Sequence, residues 1–400
     1  MDKKTGQRLL SKGVEDRSTL TVNGRVLLAR KRYYLKGEGS RSPLDVLVDA
    51  AEATVSVGTR ELCVELNGNS QSFERAKKNL KAAAQLQISD EKFRQIVEAE
   101  GKRVLALEAS GQLGPQWLAR ECKVLPPQGK EVSRVYMGSD GFMAPLVTET
   151  EKQKRRAKIK QKRQKRGKKA KPLPAPKTGA DGSWKEFKLV FFYDQDMDHR
   201  HVAVTRGNCE VAGQLMARES GRLEFAAADE RVGNIDGGPW IINQIQLHKM
   251  PMSATGLDFF HLSGQVGKAR CRVFGEEDEV GKAWEARLLH QVKHEGYEAM
   301  WEHLLGWRKE LKRSKRKEAD GLIHYVVERK EMIHYPEFLA KGWQIGSVPT
   351  ESECRLLPDR LKGAGMRWDA ENAEAVMALE AMRISGQSQP YWRMCLSCSN

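Results

Sequence analysis

Phe187 to Tyr193 (FKLVFFY), a nearly continuous apolar, aromatic run, is the strongest strand signal in the chain. It is followed by turn-like residues at 194–199 and by a hairpin partner at His201 to Thr205. A helical pattern over 209–219 comes next, then a strand at Arg231 to Ile235, a helix from Pro239 to His248 and a short strand ending near Leu257-Asp258. Upstream, Val132 to Ser139 (VSRVYMGS) is rich in β-formers and is read as stopping at Asp140-Gly141, with Phe142 to Val147 as a second short run. Strands alternating with helices require an α/β architecture.

The regions on either side read differently. Leu20, Val22, Val26 and Leu28 suggest one short strand at 19–28. A helix opens at Pro43, with Leu44, Leu47, Val48 and Ala51 on one stripe. A second helix runs from Ser72 to Leu86, with Ser72 as N-cap and Phe73, Ala76, Leu80 and Ala83 apolar. Ser89 caps a third, which carries Phe93, Ile96 and Val97 inward and Asp90 and Glu91 in its first turn. This pair, with Lys92, Arg94, Gln95, Lys102 and Arg103, is similar to a helix-turn-helix DNA reader, although any all-α domain contains such pairs. Gly111, Gly114, Pro115, Pro126 and Pro127 mark a linker over 111–130. The domains expected are therefore 1–128, mainly helical and DNA-binding; 129–258, the first part of a catalytic domain with a basic insertion at 150–183; 259–343, a charged helical insertion; and 344–400, the remainder and tail. Helices are expected at 350–361 and 369–384, and there is no internal repeat.

Charge narrows the partner. The chain of 400 residues carries +15, yet residues 152–171 hold 13 Lys/Arg and no acid, leaving only +2 elsewhere. A concentrated cationic block suits a polyanion, nucleic acid first, and its candidate contacts are Arg155, Arg156, Lys158, Lys160, Lys162, Arg163, Lys165, Arg166, Lys168 and Lys169. The plainer reading of such a block is a solvated loop. Nothing approaches the ~18 apolar residues of a membrane span, and no secretory leader is read at the N-terminus. Seven scattered cysteines point to a reducing compartment rather than a disulfide framework.

Three strands, a helix, a strand, a helix and a late helix is the RNase H-like order, giving a mixed sheet with a helical insertion. In that frame Asp140 and Asp236, 96 residues apart at strand ends, converge with Glu351 on a late helix. Cutting a phosphodiester in line calls for two divalent ions about 3.5–4 Å apart. Hard Mg²⁺ (or Mn²⁺ in its place) takes oxygen ligands, for which three carboxylates are a minimal cage. Asp-Gly is also a common turn pair, and Glu351 alone is an ordinary first-turn acid. Competing sites are poorer. Asp194-x-Asp196-x-Asp198 lacks the glycine and glutamate of a calcium loop and is read as a turn, Cys395-x-x-Cys398 has no second half, and His199-x-His201 is unsupported. There is no nucleophile elbow, P-loop or Rossmann glycine pattern.

Four segments together resemble bacterial insertion-sequence transposases of the ISKra group, relatives of the Mutator-like DDE enzymes. They are Val135 to Gly141 (VYMGSDG), Ile235 to Ile241 (IDGGPWI), Leu257 to His261 (LDFFH), and Ile345 to Trp368 with Glu351, Cys354 and the stretch Arg360 to Trp368. The likeness covers residues 20–385, without the group's N-terminal zinc knuckle. It implies metal-dependent cleavage and strand transfer at transposon ends, with Asp140, Asp236 and Glu351 as Mg²⁺ ligands. It also implies double-stranded transposon-end and target DNA as partners, a homo-oligomer, and a cytoplasmic, nucleoid-associated setting. Asp258 competes with Asp236 for the second ligand; Asp236 is preferred because glycine flanks it at a strand end. Asp258 and His261 are left to orient the insertion or DNA, or to form a buried hydrogen-bonded pair. Two alternatives share the fold: a transposase-derived DNA-binding protein without catalysis, and another RNase H-like nuclease such as a resolvase.

Overall fold

A computed structural model describes residues 9–35, 37, 39–42, 54–127, 129–169, 172, 183–363 and 366–397. The helix expected from Pro43, and Cys398, lie outside them. In chain order the elements are β1 (Leu10–Thr21), β2 (Gly24–Leu35), β3 (Gly39–Arg41), α1 (Val57–Gly68), α2 (Phe73–Ala84), α3 (Asp90–Ala109), β4 (Lys123–Val124), β5 (Val132–Pro145), α4 (Glu149–Lys165), β6 (Trp184–Tyr193) and β7 (Arg200–Thr205). There follow α5 (Cys209–Arg222), β8 (Glu230–Ile235), α6 (Pro239–Leu247), β9 (Ala254–Leu257), α7 (Phe259–Phe274), α8 (Glu279–His294), α9 (Tyr297–Glu310), α10 (Arg316–Val327), α11 (Tyr335–Ala340), α12 (Val348–Leu356), α13 (Ala370–Ile384) and α14 (Ser388–Ser397). They form two compact units, and the first break in packing falls between Gly114 and Pro115, inside the stretch read as a linker.

Unit 1 comprises residues 1–114, 144–185 and 357–400. It opens with a three-stranded antiparallel sheet, not one strand at 19–28. Thr21 pairs with Gly24 across a two-residue turn, with Gly24 at φ +101°. Leu20, Val22, Val26 and Leu28 keep an even spacing straight through that turn, so periodicity alone does not mark it. The helices α2 and α3 form where their caps predict. Ser72 Oγ accepts from Arg75 N at 3.1 Å and Ser89 Oγ from Lys92 N at 3.2 Å. Phe93, Val97 and Val104 of α3 are fully buried. At Gly101 the helix runs so close to α13 that a Cβ would lie 2.1 Å from Ala375 O. A buried Arg60–Glu100 ion pair at 2.6 Å, with Tyr391 also donating to Glu100, ties α1, α3 and α14 together.

The basic block is helical as far as Lys165. Residues 149–165 form α4, because Thr148 and Glu151 make a capping box: Glu151 N donates to Thr148 Oγ1 at 3.2 Å and Thr148 N to Glu151 Oε2 at 3.0 Å. No residue of α4 is buried.

Unit 2 comprises residues 115–143 and 186–356, a mixed α/β body on a six-stranded sheet of order β7-β6-β5-β8-β9, with β4 paired to β5. The β6/β7 pair is antiparallel, whereas β8 runs parallel to both β5 and β9. Contacts Tyr136–Tyr193, Ser139–Leu189 and Phe142–Phe187 run in opposite sense along β5 and β6, so those strands are antiparallel. One face buries Val135, Met137, Val190 and Phe192 in a core shared with α5 and α6. Asp140-Gly141 does not end β5, and Phe142 belongs to the same strand. Gly141 lies flat against β6, where a Cβ would meet Glu186 Oε1 at 2.5 Å. In the helical insertion α7–α11, Trp284 and Trp307 pack ring to ring at 4.2 Å and join the core, as plain packing predicts. The helix expected at 350–361 begins at Val348 and gives way at Leu357 to a single tight turn, since Pro358 cannot continue it.

Candidate active site at the carboxylate cluster

The parallel register of β5 and β8 pairs Met137 with Gly233. Three residues further along each chain segment stand Asp140, still within β5, and Asp236, directly after the last residue of β8. Asp140 is half-buried, and its Oδ1 accepts from Gly141 N at 2.6 Å. The Cys354 thiol of α12 also donates to it. Burial pushes the Asp140 carboxyl above its usual range, and the Asp236 charge pushes it further, outweighing those hydrogen bonds. Asp236 leaves β8 into a sharp bend. Gly237 takes φ +78°, Gly238 N donates to Asp236 Oδ1 at 2.7 Å, and Pro239 opens α6.

Glu351 lies in the first turn of α12 and is exposed. That helix is seated on β5 by a gap in the strand: a Cβ on Gly138 would come 1.9 Å from Thr350 Oγ1. Burial, and after it the charge of Asp258, raises the Glu351 carboxyl, and Asp140 adds to the effect. Glu351 Oε1 stands 3.3 Å from His261 Nδ1.

Asp258 is fully buried and holds three segments at once. As N-cap of α7 it accepts from His261 N at 2.9 Å. It also accepts from Ser347 N, just before α12, at 2.7 Å, and pairs with His261 Nδ1 at 2.6 Å. Burial would raise its pKa, but the His261 hydrogen bond and the Ser347 and His261 amides hold it below the usual range. His261 is raised in turn, first by the Asp258 hydrogen bond and then also by Glu351 and Asp236. The two are hydrogen-bonded, with Asp258 buried and His261 partly exposed; Asp258 also caps the first helix of the insertion, and His261 approaches Glu351. The carboxylate of Asp258 is already engaged by three N–H groups, so it serves as a brace.

Among the described residues, two sets of potential ligand atoms lie within 4.8 Å of one another: Asp258–His261–Glu351 and Cys122–Asp194–His199. In the second, His199 Nδ1 is 2.6 Å from Asp194 Oδ2, closing the turn read there. Burial lifts the Cys122 thiol to about 12, so it stays protonated and is a poor ligand. In the first, Asp258 and the Nδ1 of His261 satisfy each other. The three acids read from the sequence as metal ligands, Asp140, Asp236 and Glu351, do not form a set of this kind, although Asp140 feels the charge of Asp236 and Glu351 that of Asp140. Oxygen donors of this kind suit a hard divalent ion. The upward shifts of Asp140 and Glu351, driven partly by neighbouring acids, are what a cation would reverse.

Sequence reasoning did not single out Gly138, although a glycine inside a strand signals close approach. It also missed Arg329, whose Nε lies 2.6 Å from where a Cβ on Gly237 would stand, since nothing local marks a partner so distant in the chain. The ten candidate DNA contacts all lie on α4 or just after it, half-exposed or exposed. No helix among the described residues is long and apolar enough to cross a membrane. No protein-family model matches the chain, and no curated protein matches it.

Proposed function

We propose that the chain is an RNase H-like, metal-dependent DNA transposase of the DDE kind, which cleaves DNA at transposon ends and joins the freed strands to target DNA. The observation that carries this reading is that Asp140 in β5 and Asp236, just past the end of the neighbouring parallel strand β8, feel each other's charge, while Glu351 stands 3.3 Å from His261, which senses both Asp236 and Glu351. The sheet order supports the fold: three antiparallel strands, then two parallel ones added beside the first. Asp140, Asp236 and Glu351 would hold Mg²⁺, or Mn²⁺ in its place. When bound, such ions activate the attacking oxygen and stabilise the leaving one.

The protein's own side chains have separable tasks. Asp258 fixes His261, and His261 holds Glu351 toward the sheet edge and offsets its charge. Gly237 and Gly238 aim Asp236, and Cys354 steadies Asp140. The cations of α4 contact phosphates without reading sequence, so they supply affinity that falls steeply with salt. Synapsis of two ends requires a homo-oligomer.

The test is cleavage and joining of a labelled end duplex in Mg²⁺ by the wild type and by Asp140→Asn. The expected result is loss of both products in the variant with binding retained. Cleavage of branched DNA without joining would favour a resolvase. Unchanged activity in Asp140→Asn would remove the catalytic assignment.

A further inference from the structure

Gly237 is the pivot of the bend that leads from β8 into α6, and it is walled on two sides. A Cβ there would come 2.8 Å from Leu257 Cδ1, and 2.6 and 2.9 Å from Arg329 Nε and Cδ. Leu257 belongs to the buried core around the sheet. Arg329 comes from elsewhere, two residues past the end of α10 in the helical insertion. The shape of the bend decides how Asp236 presents its carboxylate, because Gly238 N donates to Asp236 Oδ1 at 2.7 Å.

Arg329 is held in place without core packing behind it. Its guanidinium lies over the Tyr325 ring at 4.0 Å, and its Nη1 donates to Tyr325 O at 3.1 Å and to exposed Glu328 at 3.2 Å. The side chain also lines a polar cavity of about 460 Å³ between α7 and α10, so that side gives it no support. Its Nε is buried without a hydrogen-bond partner among the described residues. A buried donor left unmet is costly, so the side chain is kept for where it stands and not for the bonds Nε makes. Burial raises the Tyr325 phenol above its usual range, Arg329 opposes this, and the charges of Asp236 and Asp258 add to it. The Arg329–Tyr325 pair thus stands within electrostatic reach of both acids.

We propose that Arg329 is a positioning residue for Asp236: clamped by Tyr325, its side chain closes the open side of the Gly237 bend and holds the Asp236 carboxylate in the orientation that receives a divalent ion. This rests on the reading of Asp236 as a metal ligand. It gives the helical insertion a task at the sheet, since the insertion supplies both the wedge and its clamp.

The experiment measures Mn²⁺ binding without DNA, by electron paramagnetic resonance of the free ion, and melting in EDTA. Asp236→Asn is the reference and should lose Mn²⁺. Arg329→Ala empties the wall, and Arg329→Lys keeps the charge but lacks the fork that grips Tyr325 O. Each should bind Mn²⁺ about tenfold more weakly. Tyr325→Phe keeps the ring and should bind like the wild type, whereas Tyr325→Leu should follow the Arg329 variants. DNA cleavage by the Arg329 variants should recover as Mg²⁺ is raised, with KM for the end duplex unchanged. A merely structural role would lower melting in EDTA and leave Mn²⁺ affinity as it is. Wild-type Mn²⁺ affinity in Arg329→Ala and Arg329→Lys, with Mn²⁺ lost in Asp236→Asn, would overturn the positioning role and leave the metal reading standing. Unchanged Mn²⁺ binding in Asp236→Asn would overturn that reading, and the role of Arg329 with it.

Discussion

Thr350 occupies the space that any side chain on Gly138 would need, its Oγ1 lying 1.9 Å from the ideal Cβ position. Through this contact a strand without a side chain sets the depth of the helix that carries Glu351. Gly138→Ala should cost about 1–3 kcal/mol of stability by overpacking and displace Glu351. DNA cleavage should fall further than the loss of folded protein explains. Gly264→Ala, in open space on α7, is the control and should stabilise by about 0.4–1 kcal/mol. Equal effects of the two variants on thermal melting and cleavage would count against the Gly138 account.

Mg²⁺ should raise the melting temperature of the wild type, because an ion bound only by the folded state stabilises it. EDTA should reverse the shift. Asp140→Asn and Glu351→Gln should melt at the same temperature with and without Mg²⁺. A full Mg²⁺ response in both variants would show that the ion binds elsewhere.

Acid should weaken the protein through Glu219. This residue is buried and carries His201 Nε2 at 2.9 Å, Arg218 at 2.6 Å and Arg222 at 3.0 Å. Burial alone would raise its pKa, but the His201 hydrogen bond and charge, followed by Arg218, bring it from 4.5 down to about 2. A depressed acid contributes stability above its unfolded pKa and loses it as pH falls through the folded value. The window therefore runs from roughly pH 4.5 to 2, and the contribution is on the order of a few kcal/mol. Urea denaturation against pH should show Glu219→Gln less stable at pH 7, with the gap closing below pH 4.5. A gap that stays constant with pH would contradict it.

The Arg60–Glu100 pair in unit 1 should be costly to halve. Removing one partner of a buried ion pair leaves an uncompensated charge and costs about 3–5 kcal/mol. Arg60→Met alone should show this loss in chemical denaturation, and Arg60→Met with Glu100→Gln should recover a large part of it. A single variant within ~0.5 kcal/mol of the wild type would mean that the charge is relieved in another way.

Replacing Lys158, Lys160, Lys162 and Arg163 together by Gln should weaken binding of every DNA sequence alike. The slope of log affinity against log salt should become shallower by up to about 0.9 for each phosphate contact removed. An unchanged slope would take α4 out of the DNA interface.

Much of unit 2 was legible because its signals are local. FKLVFFY is the strongest strand signal in the chain, Pro239 after Gly238 starts a helix, and the order of strands and helices brings Asp140 into one strand and Asp236 to the end of its neighbour. The misreadings have physical causes. Asp140-Gly141 reads as a turn because most such pairs are turns, whereas here the missing side chain of Gly141 lets Glu186 lie across the strand. For the block at 152–171 a solvated loop stands as the plainer alternative because like charges repel, but the Thr148–Glu151 box starts a helix that carries it, unburied, as far as Lys165. The 3.3 Å approach of His261 to Glu351 spans far too much chain for any local pattern to reveal.

Tyr391 donates to Glu100 across 291 residues of chain. During synthesis α3 emerges early, yet the helices that cover its inner face are made last. Until then Phe93 and Val97 lack part of their cover, while all of unit 2 can close around its own sheet. The order of translation thus makes unit 1 the late-maturing half, and a stalled or truncated chain would present a finished sheet beside an open helical seam.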